Sequence, residues 1–192
     1  MNSTPSGSST IYSIGHSDRD IDEFIDLLDD NAVTLLVDIR SAASSKLNPQ
    51  FHEDSLRQSL GEAGIRYTRI PQLGGHRPKA QDTSLREQAW RNNSFRNYAA
   101  FMHTNEFQAG LSSLLLLAKE QRCCIMCAEA VPWRCHRSLV SDALMARHIT
   151  VLDIMGLGNA KPRKITAFAR VRGFEVTYPA QESALALTLE TT

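Results

Sequence analysis

The sequence predicts an α/β protein with a mainly parallel central sheet and helices on both faces. Two observations support this fold class. Short, apolar, β-forming segments alternate along the chain with segments whose apolar residues recur at helical spacing. In addition, residues 33–39 are almost continuously apolar, as expected for a strand that is buried on both faces.

Predicted strands and helices follow one another along the chain. The strands are rich in β-forming apolar residues and cover residues 10–15, 33–39, 65–70, 122–127, 149–154 and, more weakly, 174–178. The helices have apolar residues at helical spacing and cover residues 21–28, 54–63, 95–102, 106–119, 137–147 and, more weakly, 164–171. Ser17 is expected to cap the first helix, with Asp20 three residues later. Residues 79–93 are polar and are expected to be irregular or partly helical.

Length and composition limit the class of protein. The 192 residues suit one domain, expected over residues 10–180 between a disordered polar leader (1–9) and a C-terminal tail (181–192). The 21 basic and 21 acidic residues balance, so no overall attraction to nucleic acid or anionic membrane is expected. No apolar run approaches the roughly 20 residues that span a bilayer, and no export signal is recognised. We therefore expect a cytoplasmic protein with free thiols and no membrane partner.

The most reactive residue types are concentrated in one segment, which connects a predicted strand to the next helix. Its sequence is Cys127-Ala-Glu-Ala-Val-Pro-Trp-Arg-Cys-His-Arg137. In open α/β sheets, ligands bind to such connections at the carboxyl ends of strands. Cys127 is either a nucleophile, activated by His136 and Arg137 at the start of the helix, or a buried structural thiol.

Metal binding and phosphatase chemistry are two other interpretations of this segment. Cys124, Cys127, Cys135 and His136 include a C-x2-C spacing and could number four zinc ligands. However, strand alternation is expected to turn Cys124 away from Cys127, and the adjacent pair Cys135 and His136 gives poor tetrahedral geometry. In cysteine-dependent phosphatases, a cysteine and an arginine five residues apart enclose a phosphate. Here the interval to Arg137 is longer and contains no glycine. We therefore predict no metal and no cofactor, and we disfavour phosphatase chemistry.

A parallel sheet would bring four polar strand ends to one edge. They are His16-Ser17, Asp38-Ile-Arg40, Gly74-Gly-His-Arg77 and residues 127–137. This convergence, more than any single residue, predicts a shared ligand site, and four ordinary solvated loops are the alternative. The glycine pair allows close approach of the backbone, or it forms an ordinary tight turn.

Carboxylates, thiols, imidazoles and cations define the chemistry of this predicted site. The predicted catalytic residues are Glu129, Cys127, His136 and Asp38. Each carboxylate is either a general acid or base, or an anchor for a neighbouring cation. The predicted substrate-binding residues are mostly polar or cationic and comprise His16, Ser17, Arg40, Lys46, Gly74, Gly75, His76, Arg77, Cys135 and Arg137. Such cations suit an anionic ligand, or else they tie loops together.

The chain also resembles a known family in a series of motifs that occur in the same order. These are Tyr12-Ser-Ile-Gly-His-Ser17, Leu36-Val-Asp-Ile-Arg-Ser41, Asn48-Pro-Gln-Phe51, Gly64-Ile-Arg-Tyr67, Leu73-Gly-Gly75, Tyr98-Ala-Ala-Phe-Met102 and the segment 127–137. The family is the bacterial and archaeal domain of unknown function 488, and the resemblance covers roughly residues 10–180. It implies no settled activity. Tyr98, which lies in one of these motifs, is included among the predicted substrate-binding residues.

Three functions are compatible with the sequence. The first is a small enzyme, of hydrolase or glycosidase type, that binds a phosphate-bearing ligand such as a nucleotide or a nucleic-acid component. One version of it cleaves a base–sugar bond with the help of Glu129 or Asp38. The second is a non-catalytic module that senses or binds a nucleotide. The third is a thiol-based redox or metal protein.

Overall fold

A six-stranded, mostly parallel sheet forms the centre of the molecule. In the computed structural model, which describes residues 10–77 and 85–180, its strand order is β3-β2-β4-β1-β5-β6. The pairings among the first five strands are parallel, and β6 runs antiparallel to β5. The predicted fold class is therefore confirmed.

The helices and strands have the following bounds. The sheet strands are β1 (Thr10–Gly15), β2 (Leu35–Asp38), β3 (Arg66–Arg69), β4 (Cys123–Cys127), β5 (Thr150–Ile154) and β6 (Ala160–Pro162). A separate small hairpin is formed by β7 (Arg170–Arg172) and β8 (Glu175–Thr177). The helices are α1 (Ile21–Asp29), α2 (Glu53–Glu62), α3 (Asn93–Phe101), α4 (Asn105–Leu117) and α5 (Arg137–Met145). None of the helices within the described ranges is long and apolar enough to cross a membrane.

Side chains of the central strands alternate between two apolar layers. On β4, Cys123 and Ile125 pack in one layer, while Cys124 and Met126 pack in the other. Helices α1 and α2 complete the layer that contains Cys124, and helices α3, α4 and α5 complete the opposite layer. All five residues of β4 are buried, which explains why this strand is a continuous apolar run without an amphipathic pattern.

The two central strands send their chains to opposite faces of the sheet. After β1 the chain enters α1, which covers one face, and after β4 it enters α5, which covers the other. Strands β1 and β4 are neighbours in the sheet. Their connections separate at the carboxyl ends, and such a switch point is where open α/β sheets leave a crevice for a ligand.

Two local predictions are wrong. Ser17 does not cap α1, because its φ of 51° places it in a turn and Asp20 occupies the cap position. The weak helix over 164–171 does not form. Instead, the Asp142 carboxylate accepts a hydrogen bond from the backbone N–H of Thr166, at 3.0 Å, and β7 begins at Arg170. Because the helical propensity of residues 164–171 is weak, these contacts with distant parts of the chain determine the conformation of the segment. The predicted leader, the predicted tail and residues 78–84 lie outside the described residues.

Candidate active site

A pocket of about 500 Å³ opens at the carboxyl ends of β1, β2 and β4. It is lined by residues from the four predicted strand ends and from α3, namely His16, Arg40, Ser41, Ala42, Ser44, Ser45, Gly75, His76, Arg77, Ser94, Phe95, Tyr98, Cys127, Ala128, Glu129, Arg134, Cys135 and His136. Five residues predicted for the site, Ser17, Asp38, Lys46, Gly74 and Arg137, are not part of this lining.

The segment between β4 and α5 is held against the end of β1. The backbone N–H of His16 donates to the carbonyl oxygen of Cys127, at 2.9 Å, and the N–H of Ser17 donates to that of Ala128, at 2.9 Å. A methyl group on Gly15 would overlap the carbonyl oxygen of Glu129, so this approach requires a glycine. The close approach fixes the position of the pocket wall that carries the thiols.

Arg137 supports the same wall from inside the protein. Its side chain is 1% exposed, and Nη2 donates to the carbonyl oxygens of Glu129, at 2.8 Å, and Ala130, at 3.4 Å. These bonds satisfy backbone acceptors in an irregular segment, which would otherwise be costly to bury. Arg137 therefore lies behind the pocket lining as a support, and its buried guanidinium also lies beside the Cys135 sulfur.

Cys127, Cys135 and His136 form a compact cluster on the pocket wall. Their two sulfur atoms and one imidazole nitrogen all lie within 4.8 Å of one another. His136 Nε2 is 3.0 Å from the carbonyl oxygen of Ile39, which can only accept, so Nε2 carries a proton. Nδ1 lies 3.5 Å from Cys135 Sγ, so it can accept the thiol proton and then donate a hydrogen bond to the thiolate. Cys135 Sγ also accepts a bond from the backbone N–H of Arg137, at 3.4 Å.

The two thiols of this cluster have opposite pKa shifts. Burial, together with the hydrogen bond to Cys135, raises the pKa of the Cys127 thiol well above its usual value. Burial also acts to raise the pKa of the Cys135 thiol, but hydrogen bonds from Cys127 and His136 outweigh it and hold that pKa well below the usual value. Cys135 is therefore the more acidic thiol of the pair, and Cys127 is its hydrogen-bond donor.

The same three side chains have the donor set of a zinc site. Two cysteines and one histidine, with a fourth position open to a pocket, are a known catalytic zinc arrangement. The adjacency of Cys135 and His136 in sequence was expected to give poor tetrahedral geometry, and the structure brings both side chains to within 4.8 Å of Cys127. Cys135 is extended, with a φ of −129°, while His136 has a helical φ of −56°, and this change brings the two side chains together. Cys124 lies in the opposite layer, as predicted.

Asp38, Arg40 and His16 form a buried polar network beside the cluster. The Asp38 carboxylate accepts bonds from Arg40 Nη2, at 2.6 Å, and from the Tyr67 hydroxyl, at 2.8 Å. Arg40 Nη1 donates to the carbonyl oxygen of Phe51, at 2.9 Å, and lies 3.3 Å from His16 Nε2. The Asp38 side chain is fully buried and occupied by these partners, so it does not present a carboxylate to the pocket.

The predicted cation Arg77 is also occupied by internal partners. Its guanidinium pairs with Glu106, at 2.9 Å, donates to the carbonyl oxygens of Gln72 and Gly74, and lies 3.7 Å from the centre of the Phe101 ring. Lys46 is exposed and lies away from the pocket lining. Of the four predicted ligand-binding cations, Arg40, Arg77 and Arg137 therefore have internal partners, and Lys46 is outside the pocket lining.

Glu129, His76 and Arg134 are the exposed ionisable side chains of the lining. Within the described part of the chain, none of the three side chains makes a hydrogen bond or an ion pair. Arg134 was missed in the sequence, although it lies within the reactive segment. The serines Ser41, Ser44 and Ser45, which also line the pocket, were missed as well. Ser41 Oγ accepts a hydrogen bond from the backbone N–H of His76, at 2.8 Å. Their signal was a polar, serine-rich loop after the buried strand β2.

Tyr98 closes the floor of the pocket. Its ring is 5.3 Å from that of His136, and its hydroxyl donates to the carbonyl oxygen of Leu73, at 2.7 Å. Because the hydroxyl already has a buried acceptor, Tyr98 offers a ligand its ring and not its polar atom.

These features define an α/β protein with a thiol-lined pocket at the switch point of a parallel sheet. Residues 20–144 match the model of the domain of unknown function DUF488, and the chain belongs to that family. Comparison with curated proteins finds no match, and neither does comparison with solved structures.

Proposed function

We propose that this protein is a hydrolytic enzyme in which Cys135 is the nucleophile and His136 is its general base. The observation that carries the proposal is the position of the imidazole, which lies between the carbonyl oxygen of Ile39 and the sulfur of Cys135. A nucleophile, a base in contact with it and a third group that orients the base are the arrangement that nucleophilic catalysis requires.

The start of α5 favours a thiolate at Cys135. The residue lies two positions before the helix, and the N–H of Arg137 points at its sulfur. Backbone N–H groups at a helix N-terminus stabilise a negative charge, and a nearby imidazole adds to this effect. Cys127 contributes a third donor to the same sulfur. Three donors therefore stabilise the thiolate, and the buried guanidinium of Arg137 adds a positive charge beside the same sulfur.

The reaction proceeds through a covalent adduct. The Cys135 sulfur attacks an electrophilic carbon of the bound ligand, and His136 Nδ1 holds the thiol proton and returns it to the leaving group. Water then cleaves the bond between sulfur and carbon and restores the thiol. The free carboxylate of Glu129 lies on the same lining and is suited to activate that water.

The pocket supports a small ligand with one anionic group. Its volume of about 500 Å³ is within the usual range for small-molecule sites. Arg134 and His76 are the cationic or titratable side chains left for an anion such as a carboxylate or a phosphate. A polyphosphate or a nucleic-acid backbone receives less support, because Arg40, Arg77 and Arg137 already have internal partners.

The nucleophile is tested by alkylation of the reduced, metal-free protein with iodoacetamide at neutral pH. We expect Cys135 to be modified first, and we expect His136→Asn to slow its modification by about tenfold or more. p-Nitrophenyl acetate should give a burst of one nitrophenolate per chain, which Cys135→Ser abolishes and the control Cys124→Ala retains. Equal alkylation rates in the wild type and in His136→Asn would overturn the proposal. So would tightly bound zinc that protects both thiols.

Substitution of Gly75 by alanine tests the same dyad without changing either member. A methyl group there would lie 2.5 Å from His136 Nδ1, so the imidazole has to shift from its present position beside Cys135. We expect the alkylation rate of Cys135 to fall by about tenfold, with a loss of about 1–3 kcal/mol in the free energy of unfolding. Gly61→Ala is the matched control, because a methyl group on Gly61 meets nothing within 4 Å. An unchanged alkylation rate in Gly75→Ala would contradict the role of His136.

A further inference from the structure

A second thiol lies in the cluster, and the hydrolytic mechanism uses it only as a hydrogen-bond donor. Cys127 and Cys135 are 2% and 3% exposed, and their sulfur atoms lie within 4.8 Å of each other. The other two cysteines point into opposite apolar layers and have no access to the pocket. Among the four cysteines, all of which lie in the described part of the chain, Cys127 and Cys135 are therefore the pair that lines the pocket and is placed for reaction with each other.

We propose that this pocket also reduces hydroperoxides, with Cys135 as the sulfur that is oxidised and Cys127 as the thiol that forms a disulfide with it. The inference rests on the proposed function in one respect, because it too requires a thiolate at Cys135. It adds a second activity and a second reacting residue to the same site.

The reaction consumes one hydroperoxide and oxidises two thiols to a disulfide. The Cys135 thiolate attacks the outer oxygen of the peroxide and breaks the O–O bond, and the thiol proton held by His136 Nδ1 passes to the leaving oxygen, which departs as an alcohol or, from hydrogen peroxide, as water. The sulfenic acid so formed at Cys135 reacts with the Cys127 thiol, which gives the disulfide and one water. An external dithiol reduces the disulfide by thiol–disulfide exchange and is itself oxidised.

The backbone allows the two sulfur atoms to meet. Cys127 is fixed, because it ends a central strand and pairs with Gly15 of β1. Cys135 follows a single 3-10 turn, Pro132–Arg134, in the connection before α5, next to the exposed residues Trp133 and Arg134. A disulfide requires the sulfur atoms to approach to about 2.05 Å, so Cys135 and not Cys127 makes the movement. That movement takes the Cys135 sulfur away from His136 Nδ1.

This geometry couples the two activities. While the disulfide is present, Cys135 has no free sulfur for nucleophilic attack, so hydroperoxide is expected to stop the hydrolytic reaction and a dithiol to restore it. The core thiols Cys123 and Cys124 remain reduced, because their burial in the two apolar layers excludes the oxidant.

The test treats the reduced, metal-free full chain with one equivalent of hydrogen peroxide. Of the four thiols present, two are expected to disappear, with a loss of two hydrogen atoms in mass and a peptide that joins Cys127 to Cys135. Cys127→Ser is expected to trap the sulfenic acid, which dimedone labels at Cys135. Cys124→Ser is the control and is expected to form the disulfide as the wild type does.

The outcomes separate this inference from the proposed hydrolytic function. A wild-type protein whose Cys135 reacts with iodoacetamide but forms no internal disulfide would overturn the inference alone. A wild-type protein in which Cys135 is inert to both reagents would overturn both. The wild-type measurement needs no variant, so a folding defect in Cys127→Ser does not affect it.

Discussion

Replacement of Asp38 by asparagine is expected to lower the free energy of unfolding by about 3–5 kcal/mol. The Asp38 side chain is fully buried and is the only carboxylate in contact with the Arg40 guanidinium among the described residues. It accepts bonds from the backbone N–H of Arg40, at 2.9 Å, from Nε, at 3.0 Å, and from Nη2, at 2.6 Å. Asparagine keeps the shape but leaves a buried guanidinium without a counter-charge.

The electrostatics of Arg40 also predict that Asp38→Asn lowers the free energy of unfolding. Burial acts to lower the pKa of its guanidinium, but the hydrogen bonds and charge of Asp38 outweigh burial and raise it. The charged form is thus stabilised almost entirely by one partner. When that partner is neutral, the cost of burying the charge is no longer offset.

Equilibrium unfolding in urea measures this effect, and an ion pair with an exposed carboxylate provides the control. Arg19, just before α1, pairs with Glu23 on α1, and the Glu23 side chain is 58% exposed. Glu23→Gln is expected to cost less than about 1 kcal/mol. The double substitution Asp38→Leu with Arg40→Met is expected to recover much of the loss, because it removes both charges. A loss below about 1 kcal/mol in Asp38→Asn would show that water reaches this pair in solution.

The sequence predicted the sheet and the convergence of polar strand ends for a simple physical reason. Apolar runs such as β4 must be buried on both faces, and parallel strands place their carboxyl ends at one edge. These rules depend on spacing along the chain alone. They are sufficient to bring His16, Gly75, Cys127 and His136 to one pocket without any knowledge of contacts.

The sequence could not predict in the same way which arginines have internal partners and which are free to bind a ligand. Arg77 pairs with a carboxylate 29 residues further along the chain, and Arg137 binds carbonyl oxygens of an irregular segment. Neither partner has a periodic signal in the sequence. A charged side chain near a predicted site therefore suggested ligand binding, whereas its long-range partners decide whether the charge is free. Arg134, which has no such partner within the described ranges, gave no stronger signal than the others.

Stability is expected to fall when the pH is lowered from about 6.5 to about 4, because His16 is buried as a neutral ring. Its Nδ1 lies 2.8 Å from the carbonyl oxygen of Ser17 and its Nε2 lies 3.3 Å from Arg40 Nη1. The carbonyl fixes the proton on Nδ1, so Nε2 accepts from the guanidinium. A second proton would face that cation directly. Burial, with help from the charge of Arg40, outweighs the hydrogen bond to Ser17 and lowers the pKa of His16 from 6.5 to about 4.

The size of the effect follows from proton linkage. Between the two pKa values the unfolded chain binds a proton at His16 and the folded chain does not, so the free energy of unfolding rises with pH. This stability is fully present above about pH 6.5 and is lost as the pH falls to about 4. A shift from 6.5 to about 4, at about 1.4 kcal/mol per unit, corresponds to about 3 kcal/mol.

Comparison of wild type, His16→Gln and the control His52→Gln isolates this contribution from that of the carboxylates. Urea unfolding at a series of pH values should give a shallower pH dependence in His16→Gln than in the wild type, and His52→Gln should follow the wild type. His16 also stacks on the Phe51 ring, at 4.3 Å, so a constant loss of stability in His16→Gln is expected at every pH. Parallel curves for wild type and His16→Gln would mean that His16 binds its proton equally well in the folded and unfolded chains, which would contradict the burial of a neutral ring against Arg40 Nη1.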